Sequence, residues 1–346
     1  MKYDALIITN LPNYYKVNLF NEISQDCKLL VVFIAAKESS RNADFLRIGV
    51  NNRFQYVVLN ASMEKRNLLF SCFRLLKIIK NHSFKKLILG EWVNLEYWFA
   101  LLFFRKVNTM LILESNIHSV PTLGLKEVAK RIFLSRINKV FASGIKHKLL
   151  LKLLNYKREI AITNGVGLIG SLVRKPTKAS TNSFLYVGRL APEKNLRMLI
   201  EIFNDLSYEL NIIGEGPEEG ELKKMAKSNI NFLGYVKNVD LSIHYQTHKA
   251  LLLISKNEPW GLVAEESLYF GTPVIVSSVC GVVDSLCFNK KNSLIVNAGS
   301  KKEIIDAVNT MMDDNVYEEL KNNWNSSFIE EKNKKQVEIY VQSILS

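Results

Sequence analysis

Two glutamates, Glu258 and Glu266, lie eight positions apart around a glycine, directly after the apolar run ALLLIS at 250–255. We expect a helix to begin at Gly261 or one residue later, and the N–H groups at a helix start favour phosphate because they carry partial positive charge. A carboxylate accepts hydrogen bonds from two hydroxyls at once, which suits sugars and riboses. The spacing therefore predicts a phosphate cradle with a carboxylate on each side. The alternative is that Glu258 caps the helix and that Glu266, with its neighbour Glu265, is an ordinary solvated helix residue.

A second group that could bind phosphate follows the strand-like run FLYVG at 184–188. The run ends at Gly188, and Arg189 and Lys194 lie in the short loop before a helix that we expect to begin near Asn195. Arginine offers a forked pair of donors and lysine a point charge, so both could bind one diphosphate. Basic residues are common in loops, so this pair alone is weak evidence for a phosphate site. The evidence is stronger because the same half of the chain also holds the first cradle.

Two glycine-marked turns lie between these groups, at 213–217 and 232–236. The first is typical of a loop that opens onto a helix. The second could place Tyr235 and Val236 against a nucleobase, with backbone groups reading the edge of the base. Either segment could equally be only a turn.

Short apolar runs, rich in β-branched residues, alternate with helical stretches along the whole chain and must position these loops. Such runs are expected when helices cover both faces of a parallel sheet. The alternation predicts an α/β fold with doubly wound sheets. The runs lie at 5–9, 29–35, 56–59, 86–90, 110–114, 139–143 and 159–163, and then at 184–188, 210–214, 230–234, 250–255, 273–277 and 293–297.

A boundary between two domains is predicted between Asn164 and about Ser183. That stretch holds three glycines, a proline and a mostly polar run. Two halves with one parallel sheet each would leave a cleft between them at the carboxyl ends of the strands, where such sheets bind ligands.

The positive charge of the chain is confined to its first half. Residues 1–170 hold 26 Lys and Arg against 11 Asp and Glu, and the remainder holds 20 against 22, which accounts for the net charge of +13. Such a half attracts nucleic acid, acidic lipid or a phosphorylated acceptor. The alternative is a solvated, lysine-rich surface without a partner.

Two segments of the first half, 67–86 and 125–158, are basic and amphipathic. In the first, a helical spacing places Arg74, Lys77 and Asn81 on the side opposite to the apolar residues. Such helices can lie on anionic headgroups, although packing of a helix on its own sheet is the commoner explanation.

Several classes of protein are excluded or disfavoured. The four cysteines lack CxxC spacing, so we expect packed thiols and neither a disulfide framework nor a zinc site. The start of the chain lacks the apolar segment of a signal peptide, and no apolar run approaches the roughly 20 residues of a membrane-spanning helix, so we expect a cytoplasmic location. A nucleic-acid binder is disfavoured because no stacking motif accompanies the basic half.

The motifs of the second half occur in a specific order: GRLxxEKN (188–195), GxGP (214–217), FLGYV (232–236) and EPWGLVxxESLxxGxPVI (258–275). Over roughly 180–310 this order resembles the retaining glycosyltransferases of family 4, which have the GT-B fold of two Rossmann-like domains. The resemblance implies an acceptor-binding domain at 1–165, a nucleotide-sugar-binding domain at 166–328, and a C-terminal helix at 329–346 that crosses back to the first domain.

The resemblance also implies a role for each matched residue of the donor site. Arg189 and Lys194 would bind the donor diphosphate, Glu266 the ribose, and Glu258 the transferred sugar. The backbone that would hold phosphate and sugar is that of Gly261, Leu262 and Val263. Because the chain contains no D-x-D motif, we expect a site that needs no metal and no cofactor, with cationic side chains and helix starts stabilising the departing diphosphate.

The loop after the first strand resembles the start of some family-4 enzymes of bacterial surface-polysaccharide assembly. Those enzymes usually have PxYR here, whereas this chain has Lys16 in place of the arginine, and it lacks the glycine pair that many relatives carry. The residues assigned to the acceptor on this basis are Asn13, Tyr14 and Lys16. Ser115 and His118 are assigned to it because segment 114–118 follows a strand, and similar positions in the family face the donor sugar or the acceptor hydroxyl. His118 could also relay the proton of the acceptor hydroxyl, since histidine changes charge near neutral pH, or it could be only a loop histidine.

The leading hypothesis is a retaining transferase that moves a sugar from a UDP- or GDP-sugar to a saccharide acceptor. The expected acceptor is lipid-linked, on a polyprenyl diphosphate or a lipopolysaccharide core, which would bring the protein to the anionic inner face of the cytoplasmic membrane. Two alternatives stay open: a sugar-nucleotide epimerase of the same fold, and a non-catalytic subunit that binds nucleotide sugar or membrane beside a partner transferase.

Overall fold

A computed structural model of the chain describes residues 2–39, 46, 52–103, 108–120, 124–169, 181–323 and 326–346. Contacts within the backbone divide the chain into two compact units. Unit 1 comprises Met1–Gly170 and Lys332–Ser346, and unit 2 comprises Ser171–Glu331. The middle of the boundary segment expected at 164–183 lies outside the described residues.

Unit 1 contains a seven-stranded parallel sheet with the strand order β3-β2-β1-β4-β5-β6-β7. Its strands are β1 (Lys2–Thr9), β2 (Leu29–Lys37), β3 (Gln55–Ser62), β4 (Ser83–Gly90), β5 (Asn108–Leu113), β6 (Lys139–Ala142) and β7 (Glu159–Ile162). The order reverses between β1 and β4, and loops that follow these two strands leave the sheet in opposite directions. A crevice at this point is where sheets of this type bind ligands.

The helices of unit 1 cover both faces of its sheet. They are α1 (Tyr14–Ile23), α2 (Leu68–Asn81), α3 (Leu95–Phe103), α4 (Leu125–Leu134) and α5 (Ile145–Leu153). Right-handed crossovers place α2, α3, α4 and α5 on one face, where they share a core with Leu6 and Ile8. On the other face α1 packs against Ala5 and Ile7.

Unit 2 contains a six-stranded parallel sheet with the order β10-β9-β8-β11-β12-β13. Its strands are β8 (Thr181–Val187), β9 (Glu209–Ile213), β10 (Ile230–Gly234), β11 (His248–Leu253), β12 (Val274–Ser277) and β13 (Ser293–Val296). Its helices are α6 (Leu196–Asn204), α7 (Glu219–Met225), α8 (Leu241–Thr247), α9 (Leu262–Tyr269), α10 (Lys301–Met312) and α11 (Asp314–Asn322). The strand order reverses between β8 and β11.

The last helix, α12 (Ser326–Leu345), begins in unit 2 and continues into unit 1. Within unit 1 the side-chain amide of Gln336 donates to the carbonyl of Gly165 at 3.0 Å. The ring of Tyr340 stacks on Phe141, with 4.1 Å between centroids. These contacts make the end of α12 part of the core beneath α1.

The predicted α/β fold with two doubly wound parallel sheets is confirmed. Each of the thirteen apolar runs overlaps a described strand, and the differences are confined to the strand ends. The helices expected near 195 and near 261 begin at Leu196 and Leu262. Within the described ranges, none of the helices combines the length and the apolarity that crossing a bilayer requires.

Backbone contacts join the carboxyl ends of β8, β9 and β10. The N–H of Gly188 donates to Ile213, and that of Gly214 donates to Gly234, at 3.0 and 2.8 Å. Gly214 has a φ of +131°, and a Cβ atom there would lie 1.9 Å from the carbonyl oxygen of Gly188. The loops at this edge of the sheet are therefore packed backbone against backbone, which only glycine permits.

We expect Gly214→Ala to lower the free energy of unfolding by about 3 kcal/mol or more, because strain at a positive φ adds to a backbone collision. Gly220→Ala is the matched control, since Gly220 lies in α7 with no atom within 4 Å of the added methyl group. The control should be as stable as the parent or gain up to about 1 kcal/mol. Urea unfolding of the two variants measures the difference, and equal stabilities would contradict the close packing of these loops.

Candidate active site

Two loops meet where the sheet of unit 2 reverses its strand order. One follows β8 and carries Arg189 and Lys194, and the other follows β11 and carries Glu258. The backbone N–H of Lys256 in the second loop donates to the carbonyl of Glu193 in the first, at 2.8 Å. The structure therefore brings both predicted phosphate-binding groups to one site.

The Lys194 ammonium forms a short ion pair with the Glu258 carboxylate across this site. Both side chains are mostly buried, with 17% and 13% of their surface exposed. The hydroxyl of Ser255 also donates to the paired Glu258 oxygen, at 3.3 Å. The family resemblance assigns Lys194 to the donor diphosphate and Glu258 to the transferred sugar. In the structure the two side chains also neutralise each other's charge.

Arg189 lies at the exposed rim of the same loop. Its guanidinium forms an ion pair with Glu193 at 3.0 Å, and half of its side-chain surface is exposed. The backbone carbonyl of Arg189 accepts a hydrogen bond from the hydroxyl of buried Tyr186 at 2.8 Å. The backbone of this residue is thus fixed, while its charge reaches solvent next to Gly188.

Helix α9 begins at the second loop with its N-terminus held in place. Gly261, at a φ of +107°, is the N-cap residue, and a Cβ atom there would lie 3.0 Å from Leu253. The N–H of Ala264 donates to the carbonyl of Gly261 at 3.0 Å. The N–H groups of Leu262 and Val263 come before this bond, so neither has an acceptor within the helix, as is usual for a helix start that binds anions.

Both acidic residues of α9 are buried, so the alternative of a solvated helix surface is wrong. The Glu266 carboxylate accepts a hydrogen bond from the Tyr245 hydroxyl at 2.6 Å. The Glu265 carboxylate accepts one from the indole N–H of Trp260 at 2.7 Å. Sequence reasoning missed the role of Glu265, which anchors the loop before the helix. The available signal was the tryptophan five positions earlier, because a buried indole N–H needs an acceptor.

Tyr235 and Val236 follow β10 at the same edge of the sheet as the loop that holds Gly214. Tyr235 is exposed and Val236 is half-buried. An exposed aromatic ring beside a glycine turn can stack on a flat base, and the assignment of these residues to a nucleobase stays a prediction.

A second polar cluster lies where the sheet of unit 1 reverses its order. Lys16 at the start of α1 is buried, and its ammonium forms an ion pair with Glu114 after β5 at 3.0 Å. The same ammonium donates to Asn10 at 3.2 Å. Burial alone lowers the pKa of Lys16, but the Glu114 carboxylate, with smaller effects of neighbouring tyrosines, holds that pKa above its ordinary value.

Asn13 and Tyr14 are also buried, and both contact Tyr15, a neighbour of this cluster. The Asn13 amide donates to the Tyr15 hydroxyl at 3.2 Å, and that hydroxyl donates to Glu114 at 3.4 Å. The Tyr14 ring packs edge-on against Tyr15. The assignment of Asn13, Tyr14 and Lys16 to the acceptor stays a prediction, and the structure gives all three a second task in positioning Glu114.

Glu91, directly after β4, belongs to the same cluster and was missed by sequence reasoning. It is buried, with a left-handed φ of +82°, a strained conformation for a glutamate. One carboxyl oxygen accepts the backbone N–H groups of Glu114 and Ser115, each at 2.6 Å. The other oxygen has no hydrogen-bond partner among the described residues. Burial raises the pKa of Glu91 to about 7. The signal in the sequence was a glutamate directly after the apolar run at 87–90.

Glu91 thus positions the loop that carries the remaining predicted acceptor residues. Ser115 is half-buried in this loop, and His118 is exposed, with its backbone N–H bonded to Asn116 at 2.8 Å. Partial burial of the ring, followed by the charge of Lys146, lowers the pKa of His118 below its ordinary value. A neutral imidazole at pH 7 can accept a proton, as the predicted role requires.

No cluster of three or more His, Cys, Asp or Glu side chains suited to a metal ion occurs in the part of the chain that the structure describes. The expectation of a metal-independent site stays a prediction.

Residues 172–331, which coincide with unit 2, match the family model described as glycosyl transferases group 1. The match to this family thus covers unit 2 and a little less than half of the chain. Among curated proteins, the alpha-monoglucosyldiacylglycerol synthase of Acholeplasma laidlawii is 34% identical over 123 residues, covering 33% of this chain and 31% of that protein. The chain matches about a third of the length of the curated relatives first found.

Solved structures with the GT-B fold are similar over nearly the whole chain. Sucrose-phosphate synthase from Thermosynechococcus elongatus has a TM-score of 0.72 at 15% identity and covers 99% of both chains. The Anabaena protein HepE in complex with UDP has a TM-score of 0.71 at 14% identity and covers 100% of this chain and 98% of its own. These likenesses show that the chain has the GT-B fold.

The raised pKa of Glu91 predicts a pH-dependent stability. In the unfolded chain a glutamate titrates at about 4.3, so the folded state binds the extra proton between about pH 4.5 and 7. The stability from Glu91 is therefore fully present below pH 4.5 and is lost as pH rises through about 7. We expect Glu91→Gln, which keeps the acceptor oxygen, to be more stable than the parent by up to about 3 kcal/mol at pH 8 and by far less at pH 5.

Urea unfolding at the two pH values measures this difference, and Glu22→Gln, on the surface of α1, is the control. A difference between Glu91→Gln and the parent that does not change with pH would contradict a carboxyl group held protonated by burial.

Proposed function

We propose that the chain is a retaining glycosyltransferase that moves a sugar from a UDP- or GDP-sugar to a saccharide acceptor. The observation that carries the proposal is the convergence at one loop pair of two cations, two carboxylates and a helix start, all within the residues that match the glycosyl transferases of group 1. A nucleotide sugar offers matching groups: two phosphates for the cations and hydroxyls for the carboxylates.

The donor diphosphate would bind Arg189, Lys194 and the first N–H groups of α9. Glu266 would accept hydrogen bonds from the ribose, with Tyr245 keeping its carboxylate in place. Tyr235 and Val236 would lie against the base. The complex of HepE with UDP supports a uridine nucleotide as one candidate donor.

In the reaction, the bond between the anomeric carbon and the phosphate oxygen breaks, and a bond from that carbon to the acceptor oxygen forms. Arg189, Lys194 and the helix start would stabilise the charge that develops on the departing diphosphate, without a metal or a cofactor. Glu258 would hold hydroxyls of the transferred sugar, and His118 would accept the proton of the acceptor hydroxyl. Retention of anomeric configuration is tested by the anomeric proton coupling of the product.

The proposed acceptor is a saccharide on a lipid carrier, used in bacterial surface glycan synthesis. The excess of basic residues in the first half supports binding of the protein to an anionic membrane. The relative from Acholeplasma laidlawii, which is named for a diacylglycerol product, supports a lipid acceptor. The surface-polysaccharide role rests on the resemblance of the loop after β1. We accordingly propose a peripheral location on the inner face of the cytoplasmic membrane and no nucleic-acid partner.

We expect Arg189→Ala and Glu266→Ala to weaken nucleotide-sugar binding by about 1–3 kcal/mol each, because each removes a charged hydrogen bond. Lys224→Ala is the control, since Lys224 also forms an exposed ion pair, with Glu221 on the same helix α7. Calorimetric titration with UDP-sugars and GDP-sugars in EDTA gives the affinities. Parent-like affinity in both site variants would contradict the donor assignment, and binding without any turnover would favour the non-catalytic subunit.

A further inference from the structure

Exposed large apolar side chains are concentrated on the four helices that cover one face of the unit 1 sheet. Among the described residues twenty such side chains are exposed, and twelve of them lie on these helices, whereas α6 to α11 of unit 2 expose one. The twelve are Leu69, Phe70 and Phe73 on α2, Leu95, Leu102 and Phe103 on α3, Leu125, Val128 and Ile132 on α4, and Ile145, Leu149 and Leu153 on α5. We call these residues the apolar outer face.

Each of these helices is apolar on two sides. On α3 the buried side carries Tyr97 and Leu101, while Leu95 and Leu102, one full heptad apart, are exposed together with Phe103. A helix that packs on a sheet in water normally has polar residues outward. The exposed apolar side chains of these helices are not part of the core. They indicate that the outer side of each helix contacts a second apolar surface.

The four helices lie side by side, so their stripes adjoin. Helix α2 contacts α3. The Trp98 ring of α3 packs on Phe133 of α4, with 4.9 Å between centroids. The Arg131 guanidinium of α4 donates to the carbonyl of Leu153 on α5 at 3.3 Å. The apolar outer face is therefore a broad surface that extends across four helices, and not a narrow groove.

The same helices carry strong positive charge. Together α2 to α5 hold nine Lys and Arg and two glutamates, while α6 to α11 hold six Lys and Arg against ten acidic residues. Of the two glutamates, Glu96 is fully buried and pairs with Arg66 at 3.3 Å. Glu127 pairs with Arg131 on its own helix. Unpaired acidic charge is thus absent from these four helices as the structure describes them.

Helix α2 shows how charge and apolar surface are combined. Its exposed side carries Phe70 and Phe73 in the first two turns and Lys77 and Lys80 in the last two. The expectation that the basic residues lie opposite to every apolar residue is wrong. Arg74 in particular is half-buried, with its guanidinium donating to the carbonyl of Leu59.

We propose that the apolar outer face docks on a bilayer that contains anionic lipid, with the phenylalanine and leucine side chains entering the boundary between headgroups and acyl chains. Lysine and arginine beside apolar residues match lipid phosphates beside acyl chains. A protein partner is disfavoured because the centres of protein interfaces are depleted of lysine. This inference rests on the proposed function, because the lipid-linked acceptor is the reason for the protein to bind a membrane. It adds the residues that would make the contact.

The test is co-sedimentation of the full chain with vesicles of phosphatidylcholine alone or with about 30% phosphatidylglycerol added as the anionic lipid. We expect binding to the anionic vesicles that falls in high salt, because the lysine contribution is screened. The double variant Phe70→Ser with Phe73→Ser should bind at least about tenfold more weakly, which corresponds to about 1.4 kcal/mol for two exposed rings withdrawn from the bilayer. Lys77→Gln with Lys80→Gln should lose part of the preference for phosphatidylglycerol.

The matched control is Val239→Ser with Ile243→Ser, which removes two exposed apolar side chains from unit 2 and should bind as the parent does. Nucleotide-sugar affinity, measured on every variant, reports on the donor site separately and shows that each variant is folded. Parent-like vesicle binding of the phenylalanine variant would overturn the proposal. So would a parent that ignores vesicles of both kinds, or one that buries this face in a stable dimer.

Discussion

The ion pair between Lys194 and Glu258 is the interaction on which the proposed donor site depends. It joins the loops after β8 and β11, which leave the sheet in opposite directions, and both side chains are mostly buried. Removing one partner from such a pair leaves a charge without compensation and costs several kcal/mol. A ligand that takes Lys194 must therefore offer something to Glu258 as well. A nucleotide sugar can do so, since its phosphate replaces the carboxylate and its sugar hydroxyls replace the ammonium, whereas a nucleotide alone satisfies only the lysine.

Unit 1 places a similar pair at its own point of strand reversal, but with a different consequence. Lys16 and Glu114 are held by Asn10, Tyr15 and the backbone around them, which makes the pair a fixed part of the structure. Glu91 completes it by accepting two backbone N–H groups of the β5 loop. This arrangement fits a surface that orients an acceptor loop.

Much of the fold could be predicted from the sequence because its signals are local. Buried parallel strands appear as unbroken apolar runs, and Gly261 and Asn195 mark the starts of α9 and α6 where the structure has them. The residues assigned to the donor could be singled out because most of them lie in short loops between such elements, or directly after one. The buried roles of Glu265 and Glu91 could not be found in this way. Their partners are brought to them by the fold. The partner of Glu265 is the tryptophan of the preceding turn, and the partner of Glu91 is the backbone of the loop after β5.

The outer face of α2 to α5 was only partly predictable for the same reason. The excess of basic residues in the first half is visible in the composition. Which side of a helix packs on the sheet, when two of its sides are apolar, depends on the packing of the folded chain. Phe70 and Phe73 are exposed because Ser71 and Leu75 are the residues that fit against the sheet.

The central claim is that the loops after β8 and β11 together hold a nucleotide sugar, and amide hydrogen exchange of the full chain with and without UDP- and GDP-sugars tests it most directly. The account predicts slower exchange, with the sugar nucleotide that binds, in peptides covering 188–195 and 258–266, while the interior strand at 29–35 is unchanged. Protection that is absent from both loops, or that is confined to unit 1, would contradict it.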